Sequence, residues 1–190
     1  MDFERRVSGQ FVTKVFKGVV GTPLEQSLLR AGLDVTSTSA DVPVEHFSRW
    51  LGLYSSELHP DVSRGEAMRR VGFDLVFKKY EGYSLSEAMA TLPQRLQQHV
   101  GEFLDVSMHE VAPYRYVAHF DDVGSLHTFF LGMFEGATSS TGVPSRVVWR
   151  PEGLSGARYE VRSSPVPGQE GALSRRATPV ALEAEPHVAQ

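Results

Sequence analysis

The sequence Tyr-Arg-Tyr-Val-Ala-His-Phe-Asp at residues 114–121 decides the fold class, because its apolar and polar side chains alternate with a period of two. The apolar phase runs from Tyr114 to Phe120, and the polar phase runs from Arg115 to Asp121. Such alternation is typical of a β-strand that buries one face and exposes the other. This stretch therefore predicts a half-buried strand.

Further strands are predicted on both sides of it. A preceding strand at 106–111 is separated from it by the turn-forming pair Ala112-Pro113, and two later segments, 146–150 and 157–162, alternate in the same way. Between these two pairs, residues 125–142 place their apolar side chains on one helical face. The second half of the chain therefore predicts the order β-β-α-β-β.

About the first 100 residues carry helix signals instead. Thr-Pro-Leu-Glu, Ser-Arg-Gly-Glu and Ser-Leu-Ser-Glu are capping boxes that begin predicted helices, and they lie at 22–25, 63–66 and 84–87. Pro43 and Pro93 begin two more, since proline is favoured in the first turn of a helix. The run that leads to Val20 is predicted to be extended. We expect an α+β fold in which N-terminal helices pack on a four-stranded antiparallel sheet.

The composition changes at residue 163, where proline and glycine become frequent and aromatic residues disappear. A segment without an apolar period cannot offset the entropy cost of ordering. We therefore predict one α+β domain over residues 1–162 and a disordered C-terminal tail over residues 163–190.

Composition also restricts the function. The net charge of -4 and the pI near 6.0 give no general field for nucleic acid, and no apolar run is as long as a membrane helix requires. The absence of cysteine excludes disulfides and thiolate metal sites. No signal peptide is evident at the N-terminus. We expect a cytoplasmic protein with no nucleic-acid partner and no membrane insertion.

Motifs of catalysis and of metal binding are weak. The sequence has no nucleophile elbow, no P-loop and no dinucleotide fingerprint, and His109-Glu110 has Pro113 where a zincin helix needs its second histidine. If Ala112-Pro113 is a two-residue loop, His109 and His119 lie on opposite faces of the hairpin, whereas an odd-length loop brings them together. We therefore expect no enzyme and no metal site.

Four segments resemble an uncharacterised paralogous family of myxobacterial proteins of unknown function, and the likeness spans most of residues 11–162. The segments are Gly-Tyr-Ser-Leu at 82–85, Phe-Leu-Gly-Met-Phe-Glu-Gly at 130–136, Val-Val-Trp at 147–149 and Ala-Arg-Tyr-Glu-Val at 157–161. The order of elements is remotely similar to a superfamily of haem-nitric-oxide-binding, vinyl-reductase-type and Bet3-type domains. This resemblance implies an apolar pocket between helices and sheet.

The expected walls of that pocket are the large apolar residues of the predicted helices, together with one histidine. They are Trp50, Phe73, Phe77, His99, Phe103, Phe130 and Phe134. The haem branch of the superfamily needs a Tyr-x-Ser-x-Arg clamp, but after Tyr116 this chain has Ala118 and Phe120 in place of the serine and the arginine. We therefore expect no cofactor, and His99 is interpreted as a core histidine with one satisfied nitrogen.

Four arginines share the outward phase of the last two predicted strands: Arg146, Arg150, Arg158 and Arg162. Four guanidiniums on one face could hold an anionic partner, although a solvated sheet face accounts for the same pattern. We call this surface the arginine face.

Two functional hypotheses follow. The first is a non-enzymatic module that senses an apolar small molecule in the internal pocket. The alternative is an interaction or adaptor module with a filled core, which binds a protein partner or a second copy of itself.

Overall fold

The computed structural model describes residues 5–37, 40–101 and 104–164, and these residues form an α+β fold of the predicted class. The helices are α1 (Gly9–Phe16), α2 (Pro23–Arg30), α3 (Val44–Leu58), α4 (Arg64–Val76), α5 (Leu85–Val100) and α6 (His127–Ser140). The strands are β1 (Arg6–Val7), β2 (Val42–Pro43), β3 (Val106–Ala112), β4 (Arg115–Phe120), β5 (Ser145–Glu152) and β6 (Gly156–Ser163). Most of the predicted tail, from residue 165 onward, lies outside the described residues.

Two predictions about the helical half are wrong. The run before Val20 is not extended but forms α1 and a 3-10 turn, because Phe11, Val12, Val15 and Phe16 share one buried helical face. Pro93 does not begin a new helix but lies inside α5. A row of buried side chains continues past the proline, so tertiary packing offsets the lost backbone hydrogen bond.

The four-stranded sheet is antiparallel throughout, in the order β3-β4-β6-β5. Strand β5 and strand β3 are therefore its edges. Its inner face is apolar and packs on α6, whereas its outer face carries the alternate, polar phase of every strand. The observed order β3-β4-α6-β5-β6 agrees with the predicted β-β-α-β-β.

The register of the hairpin of β3 and β4 shows on which faces His109 and His119 lie. A bulge at Val111 shifts the pairing, so that His109 lies opposite Val117 and Ser107 lies opposite His119. The inserted residue brings both histidines onto the outer face, as an odd-length connection would. Nδ1 of His119 lies 2.8 Å from Oε2 of Glu152 rather than near His109.

Helix α6 lies at the centre of the molecule, and it contacts α4 backbone to backbone. Three glycines make this approach possible: Gly72 on α4, and Gly132 and Gly136 on α6. A Cβ atom at Gly132 would lie well under 3.0 Å from the carbonyl oxygen of Arg69. The predicted role of the two α6 glycines in close docking is thus explained by contact with α4.

The opposite side of α6 closes the interior against the sheet. Phe130 and Phe134 are fully buried, and their ring centroids lie 5.3 Å from Phe120 and 5.1 Å from Tyr159, respectively. Phe129 points toward the N-terminal helices, where it contacts Phe11 and Phe47. Aromatic side chains therefore fill the space between helices and sheet. In the described ranges, no helix is long and apolar enough to cross a membrane.

Candidate functional site

The side chains that were predicted to line an internal pocket fill that space instead. Phe130 and Phe134 belong to the packed core, and Trp50 is buried between α2 and α3, where its Nε1 donates to the carbonyl oxygen of Ala31 at 2.9 Å. These three side chains line neither of two recesses on the surface of the described residues. Phe103 lies outside the described residues.

His99 is not a core histidine, and that interpretation is wrong. It lies in the last turn of α5 and is exposed, whereas its neighbours Leu96 and Val100 are buried. His99 therefore does not belong to the apolar face of α5.

Phe73 and Phe77 lie on the molecular surface rather than in the interior. Helix α4 ends at Val76, and Lys78 takes a left-handed backbone conformation with φ of 70°. The chain therefore turns away at Phe77, which is 41% exposed and stacks on Phe73 with a centroid distance of 5.0 Å. Together the two rings form a small apolar surface beside a recess.

This recess is a cleft of about 590 Å³ between α4, α6 and the beginning of β5, which we call the α4–α6–β5 cleft. Its lining is mostly polar, with one aromatic ring. The lining residues are His59, Glu66, Arg69, Arg70, Phe73, Asp74, Glu135, Thr138, Ser139, Ser145, Arg146 and Val147. Phe73 is the predicted pocket residue that lines this cleft, and Arg146 is the member of the arginine face that lines it.

A bidentate ion pair organises the floor of the cleft. Nε and Nη2 of Arg69 donate to the two carboxylate oxygens of Glu135 at 2.6 and 2.7 Å, and Nη1 donates to Glu66 at 3.0 Å. The hydrogen bonds to Glu135 raise the pKa of Arg69 above its usual value. This pair fixes α4 to α6 and leaves Arg146 as a guanidinium that lacks a carboxylate partner within the described residues.

Sequence reasoning did not identify this ion pair. The available signal was Glu135 itself, a lone carboxylate in the apolar run of α6, since a charge in such a place needs a partner. The partner could not be identified from sequence, because Arg69 lies on a helix that is distant along the chain.

A second recess of about 600 Å³ lies between α3, α4 and the beginning of α6. Ser48 and Ser125 share a hydrogen bond of 2.5 Å in its wall, and Arg64 donates to the carbonyl oxygen of Ser48 at 3.3 Å. None of the predicted site residues lines it.

The arginine face is present on the outer surface of the sheet as predicted from the alternation. Arg146 lies opposite Arg162, and Arg150 lies opposite Arg158. Arg115 on β4, which the alternation in the sequence also places near this face, lies opposite Arg162 on the other side of β6. Five arginines therefore lie on three adjacent strands.

One carboxylate neutralises part of this face. Glu160 forms ion pairs with Arg115 and with Arg162, at 2.9 Å for Nε of Arg162. The hydrogen bond from Arg162, followed by that from Arg115 against the opposing effect of burial, lowers the pKa of Glu160 to about 2. No ion pair among the described residues includes Arg146, Arg150 or Arg158.

Comparison with known proteins supports the fold. No curated protein matches the chain. A structure from a study of haem distortion in the H-NOX family is 17% identical, with a TM-score of 0.60 over 84% of this chain and 96% of that one. An oxygen-binding H-NOX domain related to soluble guanylate cyclases is 15% identical, with a TM-score of 0.58 over 83% and 93%.

An H-NOX protein from K. algicida is 12% identical, with a TM-score of 0.57 over 83% of this chain and 97% of that one. At such identity the similarity shows a shared fold and nothing about chemistry. It confirms the predicted fold class.

The described residues do not fit a haem group. The only histidine considered as an axial ligand, His99, is exposed, and the aromatic rings of α6 and the sheet fill the interior. Ala118 and Phe120, which stand where a propionate clamp would need serine and arginine, are both buried in the core. An oriented macrocycle would have neither space nor partners for its two carboxylates.

The predicted resemblance to a family of unknown function is also confirmed. The family model described as "Protein of unknown function (DUF2378)" matches residues 2–162, which is most of the sequence, and the chain therefore belongs to this family.

Proposed function

We propose that this protein is a non-enzymatic, haem-free sensing module that binds a small molecule in the α4–α6–β5 cleft. The observation that carries the proposal is the contrast between a filled interior and an open cleft in which the ring of Phe73 and the guanidinium of Arg146 line the same recess. One protein of this shared fold is described as an oxygen-binding H-NOX domain, so the fold is compatible with small-ligand binding.

The lining indicates the chemistry of the ligand. Phe73, on which Phe77 stacks from outside the cleft, offers an apolar surface, and the guanidinium of Arg146 lies at the β5 side of the same cleft. Arg69 and Arg70 already pair with carboxylates. A ligand that joins an apolar ring to a carboxylate would use both remaining features.

Two of the hydroxyls that line the cleft donate to backbone carbonyl oxygens. The hydroxyl of Thr138 donates to the carbonyl oxygen of Glu135 at 3.0 Å, and that of Ser145 donates to Val143 at 3.0 Å. A nucleophile needs a neighbouring base instead of a carbonyl acceptor. This supports binding rather than catalysis. The cytoplasmic location and the myxobacterial origin stay predictions.

Ligand-observed NMR tests the proposal, with benzoate and indole-3-acetate as probes and their uncharged amides as controls. We expect saturation transfer to the carboxylates, and weaker transfer to the amides. Ser139→Tyr would fill the cleft from an exposed position on α6 and should abolish the transfer, whereas Ser56→Tyr, on an exposed position of α3, should not. Absence of transfer, or equal transfer in both variants, would contradict the proposal.

The filled core also favours the second candidate, an adaptor that binds a protein or a second copy of itself. The 41% exposure of Phe77, beside the half-buried Phe73, is the observation that supports it. Sedimentation equilibrium of the full chain tests self-association. We expect Phe77→Ser to weaken a dimer, and a monomer at all concentrations would exclude the homodimer.

A further inference from the structure

We infer that the unpaired edge of β5 binds an extended, acidic segment of a partner protein, which adds to the sheet as a further strand. Side chains on one face of such a strand recur at every second residue. The segment would place two carboxylates four residues apart, opposite Arg146 and Arg150, with an apolar residue between them opposite Val148. This inference goes beyond small-molecule binding, because Arg150 and Arg158 do not line the cleft.

The edge of β5 is free to accept a strand. It is the last strand of the order β3-β4-β6-β5, and no other described segment pairs with its outer side. An edge strand directs half of its N–H and C=O groups away from the sheet. Three consecutive residues, Ser145 to Val147, line the cleft, so the cleft extends along the edge itself. Pro151 limits the pairing to the part of β5 before it.

The charges on the outer face lack part of their counter-charge. Arg150 lies directly opposite Arg158, and like charges in such cross-strand pairs repel. Glu160 relieves the corresponding pair of Arg146 and Arg162 by binding Arg162. For Arg150 and Arg158 no described carboxylate does so, since Glu152 on the same face contacts His119. A carboxylate from a partner would remove this repulsion.

A protein segment fits this face better than a nucleic acid. The chain has a net charge of -4, and a phosphate backbone, charged at every nucleotide, would place charge against Glu160 as well as against the arginines, whereas an extended peptide can place a neutral residue there. The neutral side chains between the two rows of arginines are Val117 and Val148, which offer no aromatic ring for base stacking. Guanidinium forks match carboxylates, and the strand edge matches an extended peptide backbone.

Selection of random peptides on the immobilised full-length protein tests the inference. We expect the selected sequences to carry Asp or Glu at two positions four residues apart. For the best peptide, the double variant R150Q/R158Q should raise the Kd about tenfold, and high ionic strength should do the same. The control K17Q/R30Q removes the same charge from the N-terminal helices and should leave the Kd unchanged.

Two further readouts establish whether the peptide binds at the β5 edge and separate this inference from the small-molecule proposal. Hydrogen exchange should slow at alternate residues between Ser145 and Arg150 when the peptide is bound, because the added strand accepts from the N–H groups that point away from β6. Transfer to benzoate should be unchanged in R150Q/R158Q, so failure of the small-molecule proposal and failure of this one are distinguishable. The inference is overturned by peptides without acidic enrichment, by an unchanged Kd in R150Q/R158Q, by absent β5 protection, or by displacement with a single-stranded oligonucleotide of equal charge.

The free protein provides a last test. Because Arg150 and Arg158 repel each other, Arg150→Gln should raise the melting temperature by up to about 3 °C while it weakens the peptide. A fall in melting temperature would show that Arg150 stabilises the free protein. It would contradict the inference that Arg150 lacks a counter-charge until a partner binds.

Discussion

The two faces of the sheet differ in almost every property although the same strands form them. On the inner face, Phe120 and Tyr159 are fully buried against α6, and the Tyr159 hydroxyl donates to the carbonyl oxygen of His127 at 2.8 Å. On the outer face, Arg150 and Arg162 are exposed, and Glu160 supplies the central carboxylate. The difference teaches that the inner face is committed to packing, whereas the outer face keeps charged side chains in contact with solvent.

The largest expected effect concerns the tightly packed side. Gly132→Ala places a methyl group against the backbone of α4 and should lower the free energy of unfolding by about 3 kcal/mol, as measured by urea denaturation. Gly18→Ala is the matched control, because no atom lies within 4 Å of its new methyl group. If Gly132→Ala is as stable as Gly18→Ala, then α4 and α6 do not pack backbone to backbone.

A smaller effect is expected on the outer face, and it depends on pH. Arg162 and Arg115 lower the pKa of Glu160 to about 2, so its contribution to stability is fully present above the unfolded pKa near 4.5. That contribution is lost as the pH falls toward 2. Glu160→Gln should therefore cost about 1 kcal/mol at neutral pH and nothing below pH 2.

Glu57→Gln, on the exposed side of α3, is the control for Glu160→Gln and should leave stability unchanged at every pH. Urea denaturation of both variants as a function of pH makes the comparison. A cost of Glu160→Gln that persists undiminished at low pH would show that the carboxylate contributes by packing rather than by charge.

The smallest effect is expected at His99. Because this side chain is exposed, His99→Leu should change the free energy of unfolding by no more than about 0.5 kcal/mol, as should Gln98→Leu beside it. The wild-type protein should purify without colour even when haem is supplied. A Soret band that disappears in His99→Leu would show that the interior opens to hold a macrocycle. The inner face of the sheet would then bind a ligand instead of serving only for packing.

Local signals predicted much of the fold. Ser63 and Ser84 cap α4 and α5, with side chains that accept from Glu66 and Glu87 as the capping boxes require. The alternation in β4, β5 and β6 predicted which residues face outward, including the arginine face. These features depend on residues within a few positions of one another. Pro93 was misleading because the burial of its helix, which is a tertiary property, outweighs the local effect of the proline.

The candidate site depended on packing between distant segments. Sequence could identify Phe73 and Arg146 as notable residues, but their common cleft exists only because three glycines bring α4 onto α6 and the sheet brings β5 beside them. The sequence by itself determined the α+β class, the caps of α4 and α5 and the outward phase of each strand, since these follow from local periodicity. Only the tertiary structure decided that the aromatic interior is filled, that His99 is exposed and that Arg69 pairs with Glu135, because these outcomes depend on which distant side chains occupy the same volume.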